Sequence, residues 1–166
     1  MLALKNILVA TDFSEASDAA LTYGRTMART FGATLHVLHV ADNVYLRAFG
    51  AEAYVPAVPD LQTEVNEAAR KQLDELLIDS DGSGPVTRKV LRTSNAPAAV
   101  ITDYAASERI DLIVVGTHGR GGVAHLLMGS VAERVVRTAP CPVLTVRHPE
   151  HEFLVPEALV AQAPAT

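Results

Sequence analysis

Five short runs of Val, Leu and Ile recur along the chain, and between them apolar residues return every three or four positions. The first run, residues 6–10, carries Ile7, Leu8 and Val9 and stops at Thr11 and Asp12. Ala16, Ala20, Tyr23, Met27 and Phe31 then recur at helical steps, with Ser14 as the N-cap and Gly32 as the stop. Residues 34–40 read as the second strand and residues 86–91 as the third. The helix between them, 61–78, places Val65, Ala69, Leu73 and Leu76 on one face. A polar Ser-Asp-Gly-Ser-Gly breaker ends it. Pro97 suits the first turn of a third helix that carries Val100, Ile101, Tyr104 and Ala105. Residues 112–115, apolar on both faces, and residues 143–146 are the last two strands, with a helix over 130–137 between them.

The order is therefore β-α-β-α-β-α-β-α-β. Strands that are continuously apolar and alternate with helices predict an α/β domain whose parallel sheet is covered on both faces. Residues 43–60 interrupt the rhythm with Tyr45, Phe49, Tyr54, Pro56 and Pro59, a long insertion for a compact domain. Residues 148–166 form a tail with three prolines. The expected organisation is one domain over 1–147, followed by that tail.

Composition narrows the function. Fourteen Lys and Arg against 19 Asp and Glu leave a net charge of −5. That disfavours a nucleic-acid binder, which meets phosphates with a basic face. It leaves room for a small anion held by a local nest of N–H groups. One cysteine, Cys141, excludes an intramolecular disulfide. Its place between two prolines, without an evident basic neighbour, reads as packing rather than reactivity. The first ten residues read as a strand rather than a secretory signal, and no run approaches the roughly 18 apolar residues of a membrane span. The expectation is a cytoplasmic protein without a membrane partner.

The segment with chemistry in it runs from Gly116 to Ser130. It leaves the carboxyl end of a buried strand, passes Gly119, Arg120, Gly121 and Gly122, and enters a helix at Gly129 and Ser130. A helix N-terminus offers unpaired N–H groups and a partial positive charge, and glycines let backbone approach an anion closely. Ser130 is expected to add a hydroxyl at the cap. No Gly-x4-Gly-Lys-Ser/Thr P-loop and no Gly-x-Ser-x-Gly nucleophile elbow occurs. Gly119-x-Gly121-x-x-Ala124 fits a dinucleotide fingerprint only in part, because the helix that should follow at once and the distant acid are missing.

The Gly-x2-Gly-x9-Gly-Ser spacing of Gly116, Gly119, Gly129 and Ser130 resembles the nucleotide-binding signature of the universal stress protein family. The opening Ile7 to Ser14 and the Ala139-Pro-Cys-Pro-Val-Leu segment are similar to that family as well. The resemblance spans roughly residues 4–147. It implies a five-stranded parallel sheet of order 3-2-1-4-5 with a Rossmann-like crevice at the strand ends. It implies that Ala10, Thr11 and Asp12 line the nucleoside side and that Val40 meets the adenine edge. Gly116 would contact ribose, and Gly119, Arg120, Gly129, Ser130 and Val131 would surround the phosphates; His118, within the same loop, is a further candidate for phosphate contact. The implied ligand is ATP, ADP or AMP, with or without magnesium. The implied partner is a second copy of the chain, paired through residues 143–146.

Bland alternatives stand beside these readings. Asp12 could cap the first helix. His118 and His125 could be solvated loop residues. His36 and His39, three apart on a strand, point to opposite faces and make poor joint ligands. The family often has Gly-Asp-Pro where this chain has Asn95-Ala96-Pro97, so the turn would rest on a left-handed Asn95. The function read from these residues is a regulatory nucleotide binder. An interaction module with a vestigial site and a slow ATPase are the other two readings. No catalytic or metal-ligating residue is assigned.

Overall fold

Short apolar runs become strands here, and the central ones, unlike the largely exposed edge strand, are covered on both faces. The computed structural model describes residues 3–45, 60–77, 84–117 and 128–147. The insertion beyond Tyr45, the loop bearing His118, Gly119, Arg120 and His125, and the tail after Arg147 lie outside them. The strands are β1 (Asn6–Thr11), β2 (Thr34–Ala41), β3 (Thr87–Thr93), β4 (Leu112–Gly116) and β5 (Val143–Val146). The helices are α1 (Glu15–Phe31), α2 (Leu61–Leu76), α3 (Pro97–Ser107) and α4 (Ser130–Thr138). The sheet order is β3-β2-β1-β4-β5, with every pairing parallel, as expected.

Strand alternation divides the core. Ile7, Val9, Leu35, Val37 and Val114 point to the face covered by Ala20, Leu21 and Ala28 of α1 and Leu73 of α2. Leu8, Leu38, Val90, Ile113 and Val115 point to the opposite face, under Ile101 and Tyr104 of α3 and Ala132 and Val135 of α4. Helix α1 lies close to the sheet at Gly24, where an added Cβ would collide with Val9 Cγ2. Ser14 caps α1 by accepting from Ser17 N, and Gly32 ends it at φ 63°.

Two local expectations are corrected and one is settled between alternatives. Ser130 is the first helical residue of α4; Gly129 is its cap and has no side chain to bond that end. The cap of α1 is Ser14, as expected, and not the alternative Asp12. Asn95 is not left-handed: among the described non-glycine residues only Phe13 and Arg109 have positive φ. The turn before α3 instead uses the Asn95 side chain as a hydrogen-bonding group.

Candidate functional site

Strands β1 and β4 are neighbours, but their chains leave in opposite directions, β1 into α1 and β4 towards α4. The strand ends therefore open into a crevice, the position where open α/β sheets take ligands. A cleft of about 700 Å³ occupies it. Ala10, Thr11, Asp12, Val40, Gly116, Gly129, Ser130 and Val131 all line it. The structure thus brings together eight of the eleven residues singled out from sequence; His118, Gly119 and Arg120 lie outside the described residues.

The β1 end is tightly tied. Thr11 is buried, and its Oγ1 accepts from Phe13 N at 3.0 Å and shares a 3.0 Å bond with Ser17 Oγ. Asp12 Oδ1 accepts from Ser14 Oγ at 2.6 Å and Ser14 N at 3.2 Å, so its carboxylate is oriented by the residue that caps α1. These bonds hold Phe13 at φ 62°, a sterically costly conformation for a bulky residue. His39 donates from Nδ1 to the Thr11 carbonyl at 2.8 Å, and its ring lies 4.3 Å from that of Phe13. Asp18, one turn into α1, titrates above the usual carboxylate range, through burial first and then the nearby charges of Asp12 and Glu15, with Arg25 opposing.

Strand β2 reaches further than β1. Its last pair with β1 is His39 with Thr11, whereas its pairing with β3 continues to Ala41 and Thr93. The N–H of Thr34 bonds towards β1 and that of Leu35 towards β3. Alternation from there aims the polar groups of Val40 to the β1 side, and Phe13 N, which would continue the β1 ladder, is bonded to Thr11 Oγ1 instead. The Val40 carbonyl therefore faces the cleft.

On the β4 side, Gly116 permits a close approach: a Cβ there would sit 2.7 Å from the Ala16 carbonyl oxygen. Thr117 N donates to Val146 O, and Gly129 N donates to Thr117 O, so the chain is fastened where it leaves the sheet and where it returns. The N–H groups of Ser130, Val131 and Ala132 have no acceptor within α4, and these residues line the cleft. A helix end of this kind attracts anions.

Sequence reasoning missed the apolar walls, Val65 and Ala68 of α2 and Pro97 and Ile101 of α3, as well as His39 and Thr117. The helical stripe through Val65 was visible, but which side of the sheet it joins depends on topology. Cys141 is half-buried, and burial, then the Asp111 charge, push its thiol up despite a bond from Ile113, which keeps it protonated at neutral pH. Among the described residues no three His, Cys, Asp or Glu side chains group to hold a metal ion, and no helix is long and apolar enough to cross a membrane.

Comparison with known proteins gives a consistent picture. The profile of the Universal stress protein family matches residues 3–147. Universal stress protein MJ0531 of Methanocaldococcus jannaschii is 32% identical over 148 residues, covering 89% of this chain and 85% of its own. A universal stress protein of Thermus aquaticus is 36% identical, covering 86% and 98%. The solved universal stress protein UspA of Lactobacillus plantarum superposes with TM-score 0.70 at 28% identity, over 89% of this chain and 100% of its own. Two more distant structures share the fold and were solved as complexes. One is a universal stress protein with cAMP (24% identity, TM-score 0.62, covering 87% and 98%); the other is from Archaeoglobus fulgidus with dAMP (21%, 0.60, 88% and 99%).

Proposed function

We propose that this chain, which belongs to the universal stress protein family, holds an adenine nucleotide in the cleft and serves as a nucleotide-responsive regulatory protein. The observation that carries this reading is the N-terminus of α4, which has no cap from Gly129 and opens into a cleft with apolar walls at the sheet's switch point. A cleft of about 700 Å³ lies within the range of small-molecule sites, roughly 300–1,000 Å³.

The residues fit a nucleotide in parts. Val65, Pro97 and Ile101 offer apolar surface for a purine, and the Val40 carbonyl accepts from a 6-amino group. Ala10, Thr11, Asp12 and Gly116 flank the ribose. Phosphates lie against Ser130 and Val131, with His118, Gly119 and Arg120 from the adjoining loop. Gly129 contributes by turning the chain, because its N–H is already given to Thr117. ATP, ADP and AMP all satisfy this chemistry, and a magnesium ion carried by a polyphosphate would find Asp12 and Asp42 as cleft-lining carboxylates. The relatives solved with cAMP and dAMP support an adenine ligand.

The setting we assign is a cytoplasmic stress response, and the assembly a homodimer through β5. That strand pairs with β4 on one side, and Val143, Leu144 and Thr145 are only half-buried. An edge of this kind invites a second copy. Light scattering at micromolar concentration should return twice the chain mass, and a monomer mass would remove the dimer.

The nucleotide is tested by titration of purified protein with ATP, ADP and AMP, after chromatography of whatever denaturation releases. Ser130→Pro removes one N–H at a helix position where Pro is tolerated. It should weaken binding by roughly 10- to 100-fold, the loss of one hydrogen bond to a charged group. Ser130→Ala, which keeps the N–H, should do less. A protein that releases and binds no nucleotide would instead be read as an interaction module.

A further inference from the structure

The end of β2 overhangs the sheet. Beyond His39 it has β3 on one side and the cleft on the other, yet the Val40 carbonyl must hold still to read a base. The backbone just past it is held by side-chain amides. Gln62, in the first turn of α2, donates from Nε2 to the Asp42 carbonyl at 3.2 Å and accepts at Oε1 from Val44 N at 3.0 Å. Asn95, in the turn before α3, accepts at Oδ1 from Asn43 N at 2.7 Å and donates from Nδ2 to the Asn43 carbonyl at 3.1 Å.

Two amides thus serve four backbone groups over three consecutive residues. A primary amide presents a donor and an acceptor together, as the peptide of a neighbouring strand would. The clamp is braced from behind. Gln62 Nε2 also reaches Asn66 Oδ1 at 3.1 Å, and Asn66 Oδ1 accepts from Thr93 Oγ1 at 3.1 Å, at the end of β3. Ser94 N donates to the Ala41 carbonyl at 2.9 Å. Among the described residues, α2, the end of β3 and the turn before α3 are all tied to the β2 end.

We propose that Gln62 and Asn95 are positioning residues for base selection: they fix the angle at which the Val40 carbonyl meets the purine 6-position. This rests on the adenine-nucleotide reading of the cleft. Neither residue lines the cleft. Their effect is therefore on the geometry of a contact, and it differs between ligands that do and do not make that contact. A 6-amino purine donates to the carbonyl. A 6-oxo purine turns an acceptor towards it and gains nothing from its alignment.

The test is calorimetric titration of the full chain with AMP and with IMP. Wild-type protein should prefer AMP. Gln62→Leu and Asn95→Leu should each lower AMP affinity roughly tenfold, near the upper end of what one net hydrogen bond supplies, and change IMP affinity less than about twofold, so the preference narrows. Gln62→Glu keeps the acceptor for Val44 N and loses the donor to Asp42. It should fall between, and it stands in if the leucine variants do not fold. Variants that keep the wild-type AMP-to-IMP ratio, or lose both ligands equally, overturn the positioning role while leaving the nucleotide reading intact. Wild-type protein that binds both alike also overturns that role. Wild-type protein that binds neither overturns the nucleotide reading and the positioning role together.

Discussion

His36 Nδ1 lies 2.8 Å from the Tyr104 hydroxyl beneath α3, and Nε2 of the same buried ring has no hydrogen-bond partner among the described residues. Either tautomer leaves Nε2 uncompensated, and protonation would add a charge and a second unmet donor, which is costly in an apolar site. Burial accordingly lowers the His36 pKa from its ordinary 6.5; Arg88 lowers it further and Glu108 opposes. Tyr104 is pushed up, by burial first and Glu108 next, with Arg92 and Arg88 opposing, so its phenol stays protonated. A folded pKa below the unfolded one means that the unfolded chain binds more protons in between, so stability rises with pH there. The His36 contribution is fully present above 6.5 and is lost as the pH falls through the folded-state value. Urea unfolding at pH 7.5 and 5.5 should show a loss on acidification that shrinks in His36→Leu. An unchanged pH difference in that variant would assign the loss to other groups.

Arg109→Gly should stabilise the protein. Arg109 follows α3 at φ 52°, where Ile110 N reaches back to the Ala105 carbonyl at 2.9 Å. Its side chain is exposed, so glycine would relieve a left-handed strain of about 1 kcal/mol and lose little packing, less the greater freedom glycine gives the unfolded chain. A gain of about 0.5 kcal/mol in the unfolding free energy is expected. Phe13, with a similar φ, should not respond in this way, because its ring packs on His39.

Gly116→Ala separates two roles of one glycine. The family signature suggests contact with ribose, but the structure puts the Ala16 carbonyl 2.7 Å from where the new Cβ would stand. Since the obstacle is backbone, α1 must move off β4. The expected cost is about 1–3 kcal/mol in the absence of any ligand, as for other overpacked sites. Thermal unfolding of ligand-free protein decides: an unshifted midpoint would leave the glycine to ligand contact alone.

The sheet was legible because its rules are local and then topological. Apolar runs such as Ile7 to Val9 give strands, Ser14 and Gly32 bracket α1, and the resemblance supplies the strand order. Boundaries drifted where tertiary pairing decides them: β3 reaches Thr93 because β2 offers partners through Ala41, a fact not contained in residues 86–91. The candidate residues on β1, β4 and α4 came together because the motif marks strand ends. The walls from α2 and α3 did not emerge, since Val65 and Ile101 look like any core stripe until the helices are placed on opposite faces. The amide clamp was also hidden. Gln62 and Asn95 are 33 positions apart in sequence, and nothing in either residue announces a shared backbone target.

Asp111 offers a prediction with two independent readouts. Its Oδ2 accepts from Lys5 N at 2.7 Å and Asn6 N at 2.9 Å, and its own N–H donates to the Asn6 carbonyl at 2.9 Å. One residue therefore joins the start of β1 to the start of β4, the two strands that frame the crevice. Asp111→Ala strips the acceptor from two backbone donors that water can only partly serve, at a cost of about 1–2 kcal/mol. Asp111→Asn keeps an acceptor without the charge and should cost about half as much. The same charge helps to raise the Cys141 thiol, second to burial. In Asp111→Asn, folded protein should therefore be alkylated at Cys141 somewhat faster at fixed pH, while Asn6→Ala, which keeps the carboxylate, should not be. Stability loss without a change in alkylation rate would mean that the carboxylate acts through its hydrogen bonds alone.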